Sequence, residues 1–348
     1  MHIKDTADRI NSFIHHYLIW LIIASYGLAS IVPEPGMILR GIQLSNPFSL
    51  NHYIPLSLIL LSLLLFNAGI GVKISELREI GKDIWLLCVG VIANVIVPLI
   101  FISIVSLVSR YWHNPREAQE ALVGMALVAS MPIAGASTAW SQNANGKLSL
   151  SLGLVLATTI LSPILTPSVL HYVGFITEGD YSEDLHELAA QGVQGFLQTW
   201  VILPAIVGII VRQLLGERWF TQICGYLKLI NYCVLIVLNY SNASLALPGL
   251  IKNPDLDFLV MCLTIVTLLC ILGFWAGNII SQLFNTTITE KASLMFGLGM
   301  NNNGTGLVLA SISLSDHPEV MIPIILYNLM QHLIASIVNS LFFESDSE

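Results

Sequence analysis

A succession of long stretches in this chain contains no Asp, Glu, Lys or Arg. They cover residues 10–32, 51–72, 84–109, 121–146, 148–177, 188–211, 229–251, 258–289, 292–315 and 320–343. Each exceeds the roughly 18 apolar residues that mark a candidate membrane-crossing helix. Little sequence is left for a soluble domain. Over all 348 residues only 10% are charged, against about 25% in soluble domains. The pattern predicts an all-α polytopic membrane protein with ten transmembrane helices. The first run is preceded by the mixed-charge "MHIKDTADRINS" and followed by "SIVPEPG", which reads as a retained helix and not as a cleaved leader.

Charge distribution sets the expected orientation. With both termini in the cytoplasm, Lys4, Arg9, Lys73, Arg78, Lys82, Lys147, Arg212, Arg218, Lys228 and Lys291 fall on the inner side, and Arg40, Arg110, Arg116 and Lys252 on the outer. A bacterial inner (plasma) membrane fits this bias. The acidic segment "TEGDYSEDLHE" is then an external solvated loop between residues 1–177 and 178–348, each carrying five spans. Because five is odd, the two sets have opposite orientation, as an inverted repeat requires. A net charge of −8 argues against a nucleic-acid partner.

The fourth span of each set departs from the apolar pattern: "MPIAGASTAWSQNANG" (131–146) in the first and "FGLGMNNNGTG" (296–306) in the second. Pro132 and the glycines oppose a continuous helix, although hydrocarbon normally demands one. A break would yield half-helices whose free N–H ends suit an anion and whose free carbonyl ends suit a cation. Neutral oxygens of Ser137, Thr138, Ser141, Gln142, Asn143, Asn301, Asn302, Asn303 and Thr305 add ligands of the hard type that suits Na⁺.

These segments resemble the bile acid:sodium symporter family. "MPIAGASTAWSQNANGKLSLSLGLVLATTILSPILTP" is similar to that family's fourth and fifth helices, "GLGMNNNG" to its ninth-helix motif, and "FNAGIGVKISELREIGKD" to the end of its second helix. The resemblance implies a panel domain (spans 1, 2, 6 and 7) and a core domain (spans 3–5 and 8–10), with broken spans 4 and 9 crossing near the substrate. It implies a first Na⁺ site on Ser137, Thr138 and Ser151, with Val155 replacing a family threonine. The implied second site uses Asn301, backbone oxygens near Leu298 and Met300, and Asn94. The substrate-contacting asparagine falls on Asn302, beside Gly135, Ala136 and Asn303. The family's acidic residue, common to both ion sites, falls on Gly297. The expected function is secondary transport of a small organic anion (bile-acid-like, 2-oxo acid or pantothenate-like), Na⁺-coupled with weakened or altered ion sites. The alternatives are a proton-coupled or uncoupled carrier of another solute, or a channel.

Other residues admit two roles. His332 in the last span serves either as a proton relay or as a hydrogen-bonded interhelical histidine. Asn67, Asn239 and Asn242 serve either as lining or as packing. Trp20, Trp85, Trp112, Trp200 and Trp219 lie near span ends, where an interfacial belt explains them. The five cysteines show no metal-ligand spacing, and the spans lack the acidic residues or nucleophile–base pair of an intramembrane enzyme.

Overall fold

The computed structural model describes residue 14 and residues 17–46, 49–73, 75–76, 79, 81–252 and 254–343. Lys4, Arg9 and Arg78 of the charge count, and the acidic tail 344–348, lie outside the described residues. In chain order come α1 (Leu18–Ile31), α2 (Glu34–Gly41), β1 (Gln43–Asn46), β2 (Ser49–Pro55), α3 (Leu56–Ile70), α4 (Ile84–Ser109), α5 (Pro115–Ser130), α6 (Gly135–Asn143) and α7 (Leu148–Gly174). They are followed by α8 (Asp180–Glu187), α9 (Val193–Phe196), α10 (Leu203–Lys252), α11 (Leu256–Leu283), α12 (Ile288–Gly299), α13 (Asn303–Ser313) and α14 (Met321–Phe342).

Helix α4 shows what kind of solvent the protein faces. Ile92, Ile96, Ile100 and Ile104 recur every fourth residue, and each is about half exposed or more, from 47% to 61%. Leu87, Val91, Asn94, Phe101 and Ile102 lie on the buried side. A continuous exposed isoleucine stripe is a liability in water and the normal state against lipid. Among the described residues, five helical stretches are long and apolar enough to cross a membrane: Ile84–Ser109, Leu148–Gly174, Asp180–Lys252, Leu256–Leu283 and Pro318–Phe342. The pair α1 and α2, bent by 95°, makes a sixth candidate. The protein is an integral membrane protein.

Two compact units are present. One is drawn from Met1–Lys73 and Gln198–Pro254. In it α10 packs against α1, α2 and α3. Contact is close because Gly208 meets the Phe66 carbonyl and Gly69 the Ala205 carbonyl, leaving no room for a Cβ at either position. Helix α10 bends at Gly216, whose φ of 68° is a conformation L side chains rarely adopt. The strands form an antiparallel hairpin that pairs Gln43 with Pro55 and Leu44 with Ile54. This hairpin modifies the all-α expectation: the first five residues of the second charge-free run are strand.

The other unit comprises Ile74–Leu197 and Asp255–Glu348. Its centre is an apolar cluster of Leu87, Val91, Ile133, Leu150, Leu154, Ile280, Leu294 and Leu298. Helices α11 and α12 approach closely at Gly277, where an added Cβ would lie 2.5 Å from the Cα of Met295. The acidic stretch expected as a loop is largely the helix α8. Gly179 starts it at φ 62°, and Asp180 and Glu183 occupy its first turn, where acids favour the helix dipole.

Candidate functional site

Helix α5 stops at Ser130 and α6 starts at Gly135; α12 stops at Gly299 and α13 starts at Asn303. Pro132 lies between the first pair. The residues between the helices pair with each other: Ile133 and Asn301 form an isolated antiparallel bridge. The Ala134 N–H donates to the Met300 carbonyl (2.9 Å), and the Asn302 N–H donates to the Pro132 carbonyl (2.9 Å). Each break thus supplies the partners the other lost, which low-polarity surroundings require. The Ile133 N–H is taken by the Thr158 hydroxyl on α7 (3.1 Å), which itself donates to the Leu154 carbonyl (2.8 Å).

The antiparallel register has an electrostatic consequence. It sets the N-terminus of α6 beside the C-terminus of α12, and the N-terminus of α13 beside the C-terminus of α5. Partial positive and partial negative helix ends alternate around one short bridge. Anion-favouring and cation-favouring positions are therefore neighbours.

Each expected residue can be placed around the bridge. Ser137 is buried on α6, and its hydroxyl finds no hydrogen-bond partner among the described residues. The Ser151 hydroxyl, from α7, donates to that of Thr138 (3.2 Å). Val155 packs against the apolar cluster. Asn301 is buried; its side-chain N–H donates to the Val128 carbonyl (3.0 Å), and its backbone N–H donates to Gln331 Oε1 (3.1 Å). Its Oδ1 is without a partner among the described residues, as are Asn303 Oδ1 and Thr305 Oγ1. The Met300 carbonyl is committed to Ala134, and the Leu298 carbonyl faces Gly273 on α11. Asn94 lines a small cavity with Ser130, Met131, Pro132, Thr158 and Ser162, whereas Asn301 turns to Val128 and Gln331.

Gly135 and Ala136, at the start of α6, are exposed. Asn302 is half-buried and caps α13, its Oδ1 accepting from the Thr305 N–H (3.3 Å). Asn303 is buried and donates to Gln331 Oε1 (3.0 Å). Gly297 faces Leu154, whose Cδ1 lies 3.0 Å from where its Cβ would be. His332 is buried, and its Nδ1 accepts from the Trp140 indole (3.3 Å). Trp140 also stacks on Phe296 at 6.1 Å between ring centroids.

Gln331 was the least visible member. One carbonyl oxygen on α14 accepts from two of the asparagines, and its Nε2 donates to Asn328 (3.3 Å). The signal for it is an amide inside an apolar run, which matters only once the helix is known to face the bridge. At the end of α12 away from the bridge, Lys147 Nζ lies 2.6 Å from Asp83 and 3.1 Å from Glu290, tying the start of α4, the α6–α7 turn and the start of α12 together.

Lipid-facing helices around a polar, uncharged crossing define an integral membrane protein with a hydrophilic core. Residues 58–252, more than half the chain, match the sodium bile acid symporter family, and the chain belongs to that family. It is similar to the uncharacterised protein YbaS of Bacillus subtilis (strain 168), at 24% identity over 216 residues, covering 62% of this chain and 67% of the relative. It is also similar to the uncharacterised sodium-dependent transporter YocS of the same organism, at 22% identity over 281 residues and 80% of each chain. The protein is a secondary transporter and not an enzyme.

Proposed function

We propose that the protein couples uptake of a small organic anion to entry of Na⁺ across a bacterial inner membrane. In this reading it has ten spans, an inverted five-span repeat and cytoplasmic termini. Helices α5/α6 and α12/α13 are its two broken spans. The compact unit that contains α4–α7 and α11–α14 corresponds to the core domain, and the unit built on α1–α3 and α10 to the panel.

The observation that carries the reading is the bridge at Ile133 and Asn301 together with buried oxygens that find no hydrogen-bond partner among the described residues. Ser137 Oγ, Asn301 Oδ1, Asn303 Oδ1 and Thr305 Oγ1 are neutral, hard donors. Buried oxygens without partners are costly, and a weakly held monovalent cation as co-substrate would satisfy those it reaches. The adjoining helix N-termini at Gly135 and Asn303 supply partial positive charge for a carboxylate or sulfonate. The sodium-dependent designation of YocS agrees with this choice of ion.

Proteoliposome uptake of carboxylates and sulfonates under imposed gradients tests the proposal. Uptake should follow an inward Na⁺ gradient, and a pH gradient alone should not drive it. Uptake driven by protons and abolished by His332→Gln would assign the coupling to the histidine instead. Ohmic conductance without exchange would make the protein a channel. In a cysteine-free background, Glu183→Cys, exposed on α8, and Ser345→Cys should label from opposite sides of the membrane.

A further inference from the structure

The turn "RYWHNPRE" between α4 and α5 brings chemistry to the other end of the same unit. Asn114 caps α5, and its Oδ1 accepts from the Arg116 N–H (3.2 Å). Pro115 opens the helix, so Glu117 falls in its first turn and folds back over the turn that precedes it. The Glu117 carboxylate accepts from the Trp112 indole (2.7 Å) and from the Asn114 side-chain N–H. Across from it, Asp255 caps α11 through the Phe258 N–H (3.1 Å), which sets Asp257 in that helix's first turn. The Asp257 carboxylate lies 2.9 Å from His113 Nε2.

One ligand atom each from His113, Glu117 and Asp257 therefore lies within 4.8 Å of the others. In a tetrahedral zinc site, with bonds of about 2.0–2.1 Å, ligand atoms are roughly 3.4 Å apart. Small rotations of the two exposed side chains, His113 and Asp257, close that difference.

A second observation separates this cluster from an ordinary acidic surface patch. Glu117 is only 6% exposed, and its described partners are the neutral N–H groups of Trp112 and Asn114. No Lys or Arg among the described residues pairs with it; the nearby Arg116 is turned to Glu120 (2.8 Å). A buried carboxylate that pairs with no Lys or Arg among the described residues, beside a second carboxylate and an imidazole, offers three ligand atoms to a cation. Trp112 and Asn114 hold its oxygens as outer-shell groups hold metal ligands.

We infer that His113, Glu117 and Asp257 form a binding site for a divalent transition metal of the Zn²⁺ class, which joins the first turns of α5 and α11. The imidazole selects against Ca²⁺ and Mg²⁺, which prefer all-oxygen sets. Three protein ligands leave a fourth position open to water or solute. Metal binding at Nε2 takes the place of the His113–Asp257 contact. It fixes the outer end of α5, one arm of the interrupted pair, to α11, which packs on α12.

The test uses tag-free, full-length protein in detergent, titrated with ZnCl₂. A competition assay with a chromogenic chelator should give one tight Zn²⁺ per chain, and the melting temperature should rise saturably. His113→Gln and Asp257→Asn alter exposed side chains, so both variants should fold with nearly unchanged metal-free melting temperatures. Each should weaken Zn²⁺ by more than about tenfold, because even outer-shell partners are worth about 10–100-fold. Zn²⁺ affinity unchanged in both variants would overturn the assignment. So would an equal rise with MgCl₂ or CaCl₂ that survives His113→Gln.

Discussion

Leu154 occupies the space in front of Gly297: its Cδ1 would stand 3.0 Å from a Cβ placed on the glycine, and the Ile133 Cδ1 stands 4.0 Å away. Gly297, to which the resemblance assigns the family's carboxylate, lies against Leu154 and Ile133, two members of the apolar cluster. A carboxylate added alone would enter a leucine-lined site and meet the desolvation cost of a buried charge. Gly297→Glu by itself should lower the melting temperature and gain little response to NaCl. The double variant Gly297→Glu with Leu154→Ala opens room for the carboxylate and should recover a larger NaCl-dependent stabilisation. Thermal melts in NaCl against choline chloride decide it; equal NaCl responses in both variants would show that Leu154 does not control the site.

Gln331 holds the second break in place from α14. Its oxygen accepts from the Asn301 backbone and from Asn303 Nδ2, so Gln331→Leu strands the buried Asn301 N–H and leaves Asn303 Nδ2 only the Asn301 carbonyl (3.1 Å). A stranded buried donor costs about 1–3 kcal/mol. Gln331→Glu keeps the acceptor and should lose less. Denaturant unfolding in a fixed detergent measures both, and equal losses would rule out the acceptor role.

The Lys147 triad makes a pH prediction. All three members stand outside the charge-free runs. Burial acts to lower the Lys147 pKa, but its hydrogen bonds to Asp83 and Glu290, with their charges, outweigh it and hold the ammonium above its usual value. Burial likewise acts to raise the Glu290 pKa, but the Thr287 N–H and Lys147 outweigh it, so the group titrates below the usual 4.5. A depressed carboxylate contributes its stability in full above 4.5 and loses it as pH falls through the folded value. A raised lysine contributes in full below 10.5 and loses it as pH rises through the folded value. The triad is thus fully stabilising at neutral pH. Lys147→Met leaves Asp83 and Glu290 facing each other, so its deficit against the parent should be greatest near pH 7 and shrink below about pH 4.5. Melting curves from pH 3.5 to 8 check it, and a constant deficit would contradict the assignment.

The helix ends at Ser130 and Gly299 were legible in the sequence, because proline, glycine and consecutive asparagines each oppose a helix through local chemistry. That Ile133 pairs with Asn301 was not, since two short non-helical stretches 168 positions apart in the numbering carry no local sign of their partner. The same holds for Trp140 and His332. At Trp112, a tryptophan at a span end fits an interfacial belt, and its local sequence does not announce that its indole donates to Glu117. The hairpin of β1 and β2 was hidden because its second strand begins an apolar run that continues as α3.

Asn302 combines two roles that one substitution can separate. Its Oδ1 caps α13 by accepting from Thr305, and the resemblance to the symporter family gives the same residue to the substrate. Aspartate is as good an N-cap as asparagine, and its charge is favourable at a helix N-terminus. Asn302→Asp should therefore melt within a few degrees of the parent. It also removes an N–H donor and puts a full negative charge where an organic anion is proposed to bind. One lost partner costs about 1–3 kcal/mol, which is about 5- to 150-fold in affinity, and like-charge repulsion adds to it. Asn302→Ala should show the converse pattern, losing about 1 kcal/mol of stability with the cap while introducing no repulsion. Substrate-dependent uptake and thermal melts on both variants resolve the two roles. If Asn302→Asp transports the anion as well as the parent does, Asn302 is a cap alone and the substrate binds elsewhere.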